Sequence, residues 1–243
     1  MPTSIQYKIG ASSLLNCFRD VFFRPNGNIA IIGGFVNWEN LNFYFLSPYK
    51  IFYKAQNNGI ENIICRCALT VLEDSDTAID IGANYGFITT VMGKYLFPRG
   101  HVVSFEIDSS ICKVLNQTII KNQLSNNVTL IEKGASSKES IKYTTIDVVV
   151  SEHKLKKIKF IKIDVDGDDF DVLVGAYNTL NNFHPTVVIE MHKNQRKIYE
   201  FLISCGYQYF INQSNETVPI DIDSWPPNLI ASNQKLLIPQ NII

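Results

Sequence analysis

The chain has 243 residues, which is enough for one large α/β domain or for a domain with a modest extension. Hydrophobic residues make up 46% of it and charged residues 19%, a balance typical of globular proteins that excludes a disordered chain. The formal net charge of −1 gives no overall positive field, so a nucleic-acid partner is disfavoured.

Signals for export or membrane insertion are missing from the sequence. The five cysteines form an odd, scattered set, which argues against a disulfide framework. The N-terminus lacks the charged-then-apolar pattern of a signal peptide, and no apolar run approaches the roughly 20 residues that a membrane span needs. We therefore predict a cytoplasmic protein without a membrane span.

The first 75 residues are rich in aromatic side chains and are punctuated by glycine and proline. The pattern predicts a short strand over residues 28–35 and helices over 48–57 and 59–72. Nothing in this stretch points to chemistry by itself. We predict an N-terminal extension or cap over residues 1–75 that packs on the rest of the chain.

A regular alternation of short apolar runs and helical patterns begins at residue 77. Such alternation implies parallel β-α-β units with helices on both faces of a sheet. The predicted strands span residues 78–81, 101–106, 128–132, 160–165, 186–190, 207–211 and 229–232. The predicted helices span residues 87–96, 109–122, 170–180 and 195–205, with Ser109 as the cap of the second. The sequence therefore predicts an α/β fold with a mostly parallel, seven-stranded sheet over residues 76–243.

The first strand of this region ends in a glycine turn, Asp80-Ile81-Gly82-Ala83-Asn84-Tyr85-Gly86. Gly82 and Gly86 let the backbone bend tightly and approach a ligand, and the helix start that follows suits a carboxylate. Asp80 would repel a pyrophosphate but suits an ammonium group. A zwitterion such as the methionine moiety of S-adenosylmethionine explains this combination best, with a plain strand-turn-helix connection as the alternative. A dinucleotide site is disfavoured, because Asn84 stands where Gly-x-Gly-x-x-Gly needs a glycine.

Glu106 ends the second predicted strand, roughly twenty residues beyond the glycine turn, where α/β nucleotide folds place an acid on ribose hydroxyls. A carboxylate can accept two hydroxyl hydrogen bonds at once. Glu106 is therefore a candidate ribose ligand.

Taken together, six sequence blocks resemble the FkbM-type methyltransferases, which are class I S-adenosylmethionine-dependent enzymes and mostly O-methyltransferases. The blocks lie at residues 80–86, 105–106, 144–147, 161–167, 172–176 and 185–192, in the order and at the spacing of the family. The resemblance covers residues 78–210 and implies the Rossmann-like class I fold. One departure is Asp166, where the family has Glu before the glycine, which keeps the charge but shortens its reach.

The resemblance implies roles for residues along the predicted carboxyl edge of the sheet. Asp164 would lie beside the amine and the transferable methyl group of S-adenosylmethionine, and Glu106 would bind its ribose. Gly134 and Ala135 would lie along the adenine edge. The methionine and sugar end would be held by Asp80, Gly82, Ala83, Asn84 and Gly86.

The candidate catalytic residues follow the fourth and fifth predicted strands. A histidine titrates near neutral pH, so His192 is a candidate base, as is Asp164. Alternatively, Asp164 and Glu190 could hold a divalent metal that lowers the pKa of the acceptor hydroxyl, or these residues could only contact the cofactor. Asp168, Asp169 and Asp171 are better explained as acids that favour a helix start.

The predicted function is O-methylation of a hydroxyl group on a sugar, glycan or small metabolite. The aromatic extension could close the substrate pocket or form the interface of a homo-oligomer. The alternatives are a nucleic-acid methyltransferase, an NAD-linked oxidoreductase and a non-catalytic, cofactor-binding regulatory module.

Overall fold

The computed structural model of the protein describes residues 20–23, 30–165 and 169–240. An antiparallel, three-stranded sheet comes first, followed by two helices. These elements are β1 (Asp20–Phe23), β2 (Ala30–Trp38), β3 (Leu41–Pro48), α1 (Tyr49–Asn58) and α2 (Asn62–Val71). No helix in the described part of the chain is long and apolar enough to cross a membrane.

A second sheet of seven strands forms the centre of the molecule, with helices between its strands. The remaining strands are β4 (Thr77–Ile81), β5 (His101–Phe105), β6 (Val128–Ile131), β7 (Gly134–Ala135), β8 (Tyr143–Thr144), β9 (Ile158–Ile163), β10 (Thr186–Glu190), β11 (Tyr209–Ile211) and β12 (Asn228–Ser232). The remaining helices are α3 (Phe87–Leu96), α4 (Ser109–Lys121), α5 (Ile146–Glu152), α6 (Asp169–Val174), α7 (Tyr177–Phe183) and α8 (Gln195–Ser204). Strands β7 and β8 pair only with each other.

The order of the central sheet is β11-β12-β10-β9-β4-β5-β6. Strands β10, β9, β4, β5 and β6 run parallel, and β12 runs antiparallel to both β10 and β11. The predicted mostly parallel, seven-stranded sheet is thereby confirmed. The strand order places the sheet's crossover point between β4 and β9, so the loops after β4, β5, β9 and β10 meet at one edge.

The central strands are buried on both faces, which explains their continuous apolar runs. Every residue of β4 is buried, and so are all those of β9 except Lys159. Two polar residues interrupt these runs: Asp80 on β4 and Lys162 on β9 are register partners in adjacent strands. A charge pair in the middle of a parallel sheet indicates a specific role for the two residues, because burying an ion is costly even when it is paired.

The predicted N-terminal extension shares a core with the central sheet's helices. The ring of Phe87, at the start of α3, lies edge-on to Phe43 and Phe45 of β3 at centroid distances of 5.4 and 5.5 Å. The buried amide of Asn122 accepts from the Tyr44 N–H at 2.9 Å and donates to the Tyr44 carbonyl at 2.6 Å. The extension therefore packs firmly on α3 and α4, while the domain boundary at residue 75 stays a prediction.

Several local predictions were wrong in detail. The cap of α4 is Asp108, whose carboxylate accepts from the N–H groups of Ser110 and Ile111, and not Ser109. The helix predicted over 170–180 is divided into α6 and α7, and Gly175 between them lies where a Cβ would be 2.0 Å from the Ser136 carbonyl oxygen. Strand β3 and helix α5 were not predicted.

Candidate active site

A cleft of about 560 Å³ opens where β4, β5, β9 and β10 end. This is the edge at which open α/β sheets bind ligands, and the volume is within the range of small-molecule sites. Ala83 and Gly86 line a smaller neighbouring cleft, and Asp80 lines neither. The predicted residues that line the larger cleft are Gly82, Asn84, Glu106, Gly134, Ala135, Asp164, Glu190 and His192.

The glycine turn forms the floor between the two clefts. Gly82 has a φ of +73°, and a Cβ there would lie 1.8 Å from the carbonyl oxygen of Asp164. Its N–H and that of Ala83 donate to the carbonyl of Phe105 at 3.0 and 2.9 Å. The turn is therefore fixed against the ends of β5 and β9, and only glycine fits at position 82.

Glu106 connects the turn to the loop after β5. One carboxylate oxygen accepts from the Asn84 N–H at 2.9 Å, and the other accepts from the Asp108 N–H at 2.8 Å. The residue is mostly buried but lines the cleft. Each carboxylate oxygen has a second lone pair, so Glu106 can still accept hydrogen bonds from a pair of ligand hydroxyl groups.

A bare stretch of backbone and several apolar side chains form the wall beside Glu106. Gly134, on β7, lies where a Cβ would be 2.7 Å from the ring of Tyr143 and 3.1 Å from Ile107. Ile111 lines the cleft nearby. An apolar wall with exposed backbone suits a flat heteroaromatic ring.

Asp80 is fully buried beneath the turn and does not reach the cleft surface. Thr89 Oγ1 donates to one of its carboxylate oxygens at 2.6 Å, and Lys162 Nζ lies 3.6 Å from the other. The expected direct contact between Asp80 and a ligand's ammonium group therefore does not match this geometry. The charge of Asp80 is matched inside the protein.

Lys162 is a buried cation under the site. Its Nζ donates to the carbonyl oxygens of Ile81 and Gly82 at 3.3 and 2.9 Å, and it lies 3.5 Å from Asp164 Oδ2. Burial opposes its charge, but the neighbouring carboxylates, chiefly Asp80, outweigh burial and raise the pKa of Lys162. The ammonium group therefore ties the glycine turn to the ends of β4 and β9.

Asp164 and Glu190 form a hydrogen-bonded carboxyl pair across the ends of β9 and β10. The hydrogen bond with Asp164, together with burial, raises the pKa of Glu190 to about 8. Burial opposes ionisation of Asp164, but the hydrogen bond from Glu190 and the charge of Lys162 outweigh it and lower the pKa of Asp164. The pair therefore carries one proton near neutral pH, held mainly by Glu190.

His192 lies at the rim between two carboxyl groups. Its Nε2 is 3.5 Å from Glu190 Oε1, and its Nδ1 is 3.6 Å from Asp169 Oδ2. Asp169 is almost fully buried, and within the described chain no hydrogen-bond donor reaches its Oδ2. Its other oxygen accepts from the Val165 N–H at 3.2 Å. The imidazole is thus placed between a buried carboxylate and the proton-sharing pair.

Residues 134–209 match the family model described as the methyltransferase FkbM domain. The structure of the methyltransferase FkbM from Methylobacillus flagellatus KT aligns with a TM-score of 0.53 at 19% identity over 68% of this chain. The family-model match supports the resemblance of this chain to the FkbM-type methyltransferases. The chain aligns with 47% of the length of the Methylobacillus protein, about half.

A second family model, described as ribosomal RNA adenine dimethylase, matches residues 45–162. An S-adenosylmethionine-dependent O-methyltransferase from Thermotoga maritima is 13% identical, with a TM-score of 0.49 over 86% of this chain and 80% of the other. A fibrillarin from Aeropyrum pernix with bound S-adenosylmethionine is 10% identical, with a TM-score of 0.47 over 88% and 97%. No curated protein matches the sequence.

The remaining acids near the candidate site divide into two groups. Asp171 lies in the first turn of α6, as predicted, and accepts from Ser136 Oγ at 2.6 Å and from the Ser137 N–H at 2.9 Å, so it holds a loop. Asp166, which departs from the family pattern, and Asp168 lie outside the described residues. Among the residues that are described, no group of three or more His, Cys, Asp or Glu side chains could hold a metal ion.

Asp169 of the candidate site had a sequence signal that was interpreted differently. It was assigned to a helix start, and α6 does begin there, but its buried carboxylate also faces His192. Lys162 lies inside an apolar central strand, where a lysine requires a buried acidic partner. Glu61, in the smaller cleft, had no signal.

Proposed function

We propose that this chain is an S-adenosylmethionine-dependent methyltransferase that methylates a hydroxyl group on a sugar, glycan or other small metabolite. The observation that carries the proposal is the composition of the larger cleft. Glu106 and an apolar wall line one part of it, and Asp164, Glu190 and His192 line another, with the glycine turn between them. Such a cleft can bind a nucleoside at one end and place a proton acceptor at the other.

The residues of the cleft fit S-adenosylmethionine. Glu106 has free acceptor capacity for two ribose hydroxyls, and the apolar wall of Ile107, Ile111 and Tyr143 beside Gly134 suits adenine. Asp164, whose pKa is lowered, is a carboxylate that favours a nearby positive charge. When bound, S-adenosylmethionine supplies a methyl group on a positively charged sulfur.

The proton of the acceptor hydroxyl would pass to the Glu190–His192 pair. A base works best when its pKa is near the working pH, and that condition describes Glu190, with a pKa of about 8, better than Asp164. His192 lies 3.5 Å from Glu190 and can receive or pass on the proton. Asp169 would act as a positioning residue that orients the imidazole. The acceptor oxygen would then bond to the methyl carbon as the methyl–sulfur bond breaks.

A neutral, hydroxyl-bearing acceptor suits the charge at this end of the cleft. Asp164, Glu190 and Asp169 all lie there, so an anionic acceptor would meet like charges. Sugars and small hydroxylated metabolites avoid this repulsion and offer the oxygen nucleophile.

Methylation of ribosomal RNA is the second candidate, because residues 45–162 match the adenine dimethylase model. Labelled methyl transfer from S-adenosylmethionine to a panel of sugars, small alcohols and ribosomal RNA separates the two. We expect label on a small hydroxyl acceptor, its loss in Glu190→Gln, and no RNA product. Label on adenine in RNA, with the rate falling steeply as salt rises, would support the second candidate and reject the first.

A further inference from the structure

The smaller cleft, of about 80 Å³, lies on the far side of the glycine turn from the nucleoside wall. Gly82, Asn84 and Asp164 line both clefts, so the two clefts adjoin at the turn. The small volume can accept only one end of a ligand that extends from the larger cleft. Its opposite wall comes from the N-terminal extension, where sequence reasoning expected no chemistry.

Glu61 provides the charged group of this wall. It lies immediately before α2 with φ and ψ of 50° and 47°, a left-handed conformation that is rare for residues other than glycine, and its carbonyl accepts from the Cys65 N–H at 3.0 Å. Glu61 is exposed as a residue, and it lines the small cleft. Within the described residues, no donor forms a hydrogen bond or ion pair with its carboxylate. The carboxylate is therefore available to a ligand.

The charges around the small cleft leave a net negative balance. Lys162 is the cation beneath it, and its ammonium is already shared by Asp80 and Asp164 at 3.6 and 3.5 Å. Burial of the Glu61 carboxyl end raises its pKa, and attraction to Lys162 opposes this without cancelling it. A small cationic group bound beside Glu61 would restore the balance.

Apolar side chains make up most of the remaining wall. Phe45, Ile51 and Ile60 of the N-terminal extension line the cleft together with Phe87 and Ile88 of α3. Such a surface suits a short aliphatic chain, and one carboxylate at its edge suits an ammonium group.

We infer that the smaller cleft is the subsite for the amino group at the methionine end of the methyl donor, and that Glu61 is its carboxylate ligand. This inference rests on the proposed function and assigns to Glu61 the ammonium contact that Asp80 is too buried to make. The donor's sulfur would then lie at the boundary of the two clefts, beside Asp164, which both clefts share.

Two ligands test the subsite. S-adenosylhomocysteine carries the amino-acid end, whereas 5′-methylthioadenosine keeps the adenine, ribose and sulfur but lacks that end. Calorimetry on the full chain should show that Glu61→Gln weakens S-adenosylhomocysteine about ten-fold, as expected for one charge-assisted hydrogen bond, and leaves 5′-methylthioadenosine unchanged. Glu73→Gln, an exposed residue outside both clefts, is the matched control and should bind both ligands as the native chain does.

Each other outcome overturns the inference in a recognisable way. Equal affinity of S-adenosylhomocysteine for the native chain and Glu61→Gln would reject the contact. An equal loss for both ligands would mean that Glu61 only shapes the cleft. If neither ligand binds the native chain, the proposed function fails and the subsite fails with it. Both variants should have the same thermal unfolding midpoint as the native chain, which shows that the binding measurements compare folded proteins.

Discussion

Replacing Lys162 with methionine tests whether the charge pair under the site holds the turn in place. Lys162 is 3% exposed and Asp80 is 0% exposed, so Lys162→Met would leave a carboxylate buried without its cation. The carbonyl oxygens of Ile81 and Gly82 would each lose the hydrogen bond from Lys162 as well. Removal of one partner from a buried ion pair costs about 3–5 kcal/mol, out of a total stability of about 5–15 kcal/mol for a typical domain.

A loss of that size is measurable by thermal and urea unfolding. In a chain of this length, 1 kcal/mol shifts the midpoint by about 2–4 °C, so the variant should unfold about 6–20 °C below the native protein. Lys159→Met, an exposed lysine on the same strand, is the control and should change the midpoint little. The double variant Asp80→Asn, Lys162→Met should recover part of the lost stability, because it removes the buried, unpaired charge of Asp80. A loss under about 1 kcal/mol, or no recovery in the double variant, would refute the reasoning.

Three further predictions concern the site itself. Glu106→Ala should lower the affinity for S-adenosylhomocysteine about ten- to a hundred-fold in calorimetry, because the ribose and the glycine turn both lose a charged acceptor. The control Glu132→Ala should keep the native affinity. Equal affinity of Glu106→Ala and the native chain would contradict the role of Glu106. Glu190→Gln should lower kcat at least about a hundred-fold with little change in donor affinity. In the native enzyme kcat/KM should rise with pH through an ionisation at or below about 8, because Glu190 must lose its proton and a bound cation lowers its pKa, and the variant should lack that limb. Asp169→Asn should lower kcat about ten-fold at unchanged KM, and an unaltered kcat, or a rise in KM with no fall in kcat, would exclude the positioning role.

The sequence predicted the central sheet and the residues at its carboxyl edge. Short apolar runs that end at turn-forming residues specify buried parallel strands, and the ends of such strands meet at one edge. Glu106, Asp164 and His192 follow strands and Glu190 ends one, so the fold brings all four into one cleft whatever the details of the loops.

Side-chain direction was harder to predict than position. Asp80 follows the pattern of a ligand-binding acid, but strand residues alternate between faces, and the register of β9 places Lys162 opposite it. The position of Asp169 at a helix start already explained an acidic residue there. Only the packing of β10 beside β9 brings His192 Nδ1 to 3.6 Å from Asp169 Oδ2. Glu61 reaches the smaller cleft through a left-handed backbone conformation that the sequence does not encode at a glutamate.

The N-terminal extension was predicted in outline only. Strand β3 was missed because Phe43, Tyr44 and Phe45 are all buried, so it lacks the apolar–polar alternation of a strand with one solvent-exposed face. Helices α1, α3 and α4 all pack against this strand. This coverage follows from tertiary packing and leaves no periodic pattern in the sequence.

A crystal structure with S-adenosylhomocysteine bound tests the central claim most directly. The proposed function predicts adenine against Gly134, both ribose hydroxyls on Glu106, and the sulfur beside Asp164 with Glu190 and His192 facing it. A nucleoside bound outside this cleft, or a sulfur that faces away from the Asp164–Glu190 pair, would contradict it.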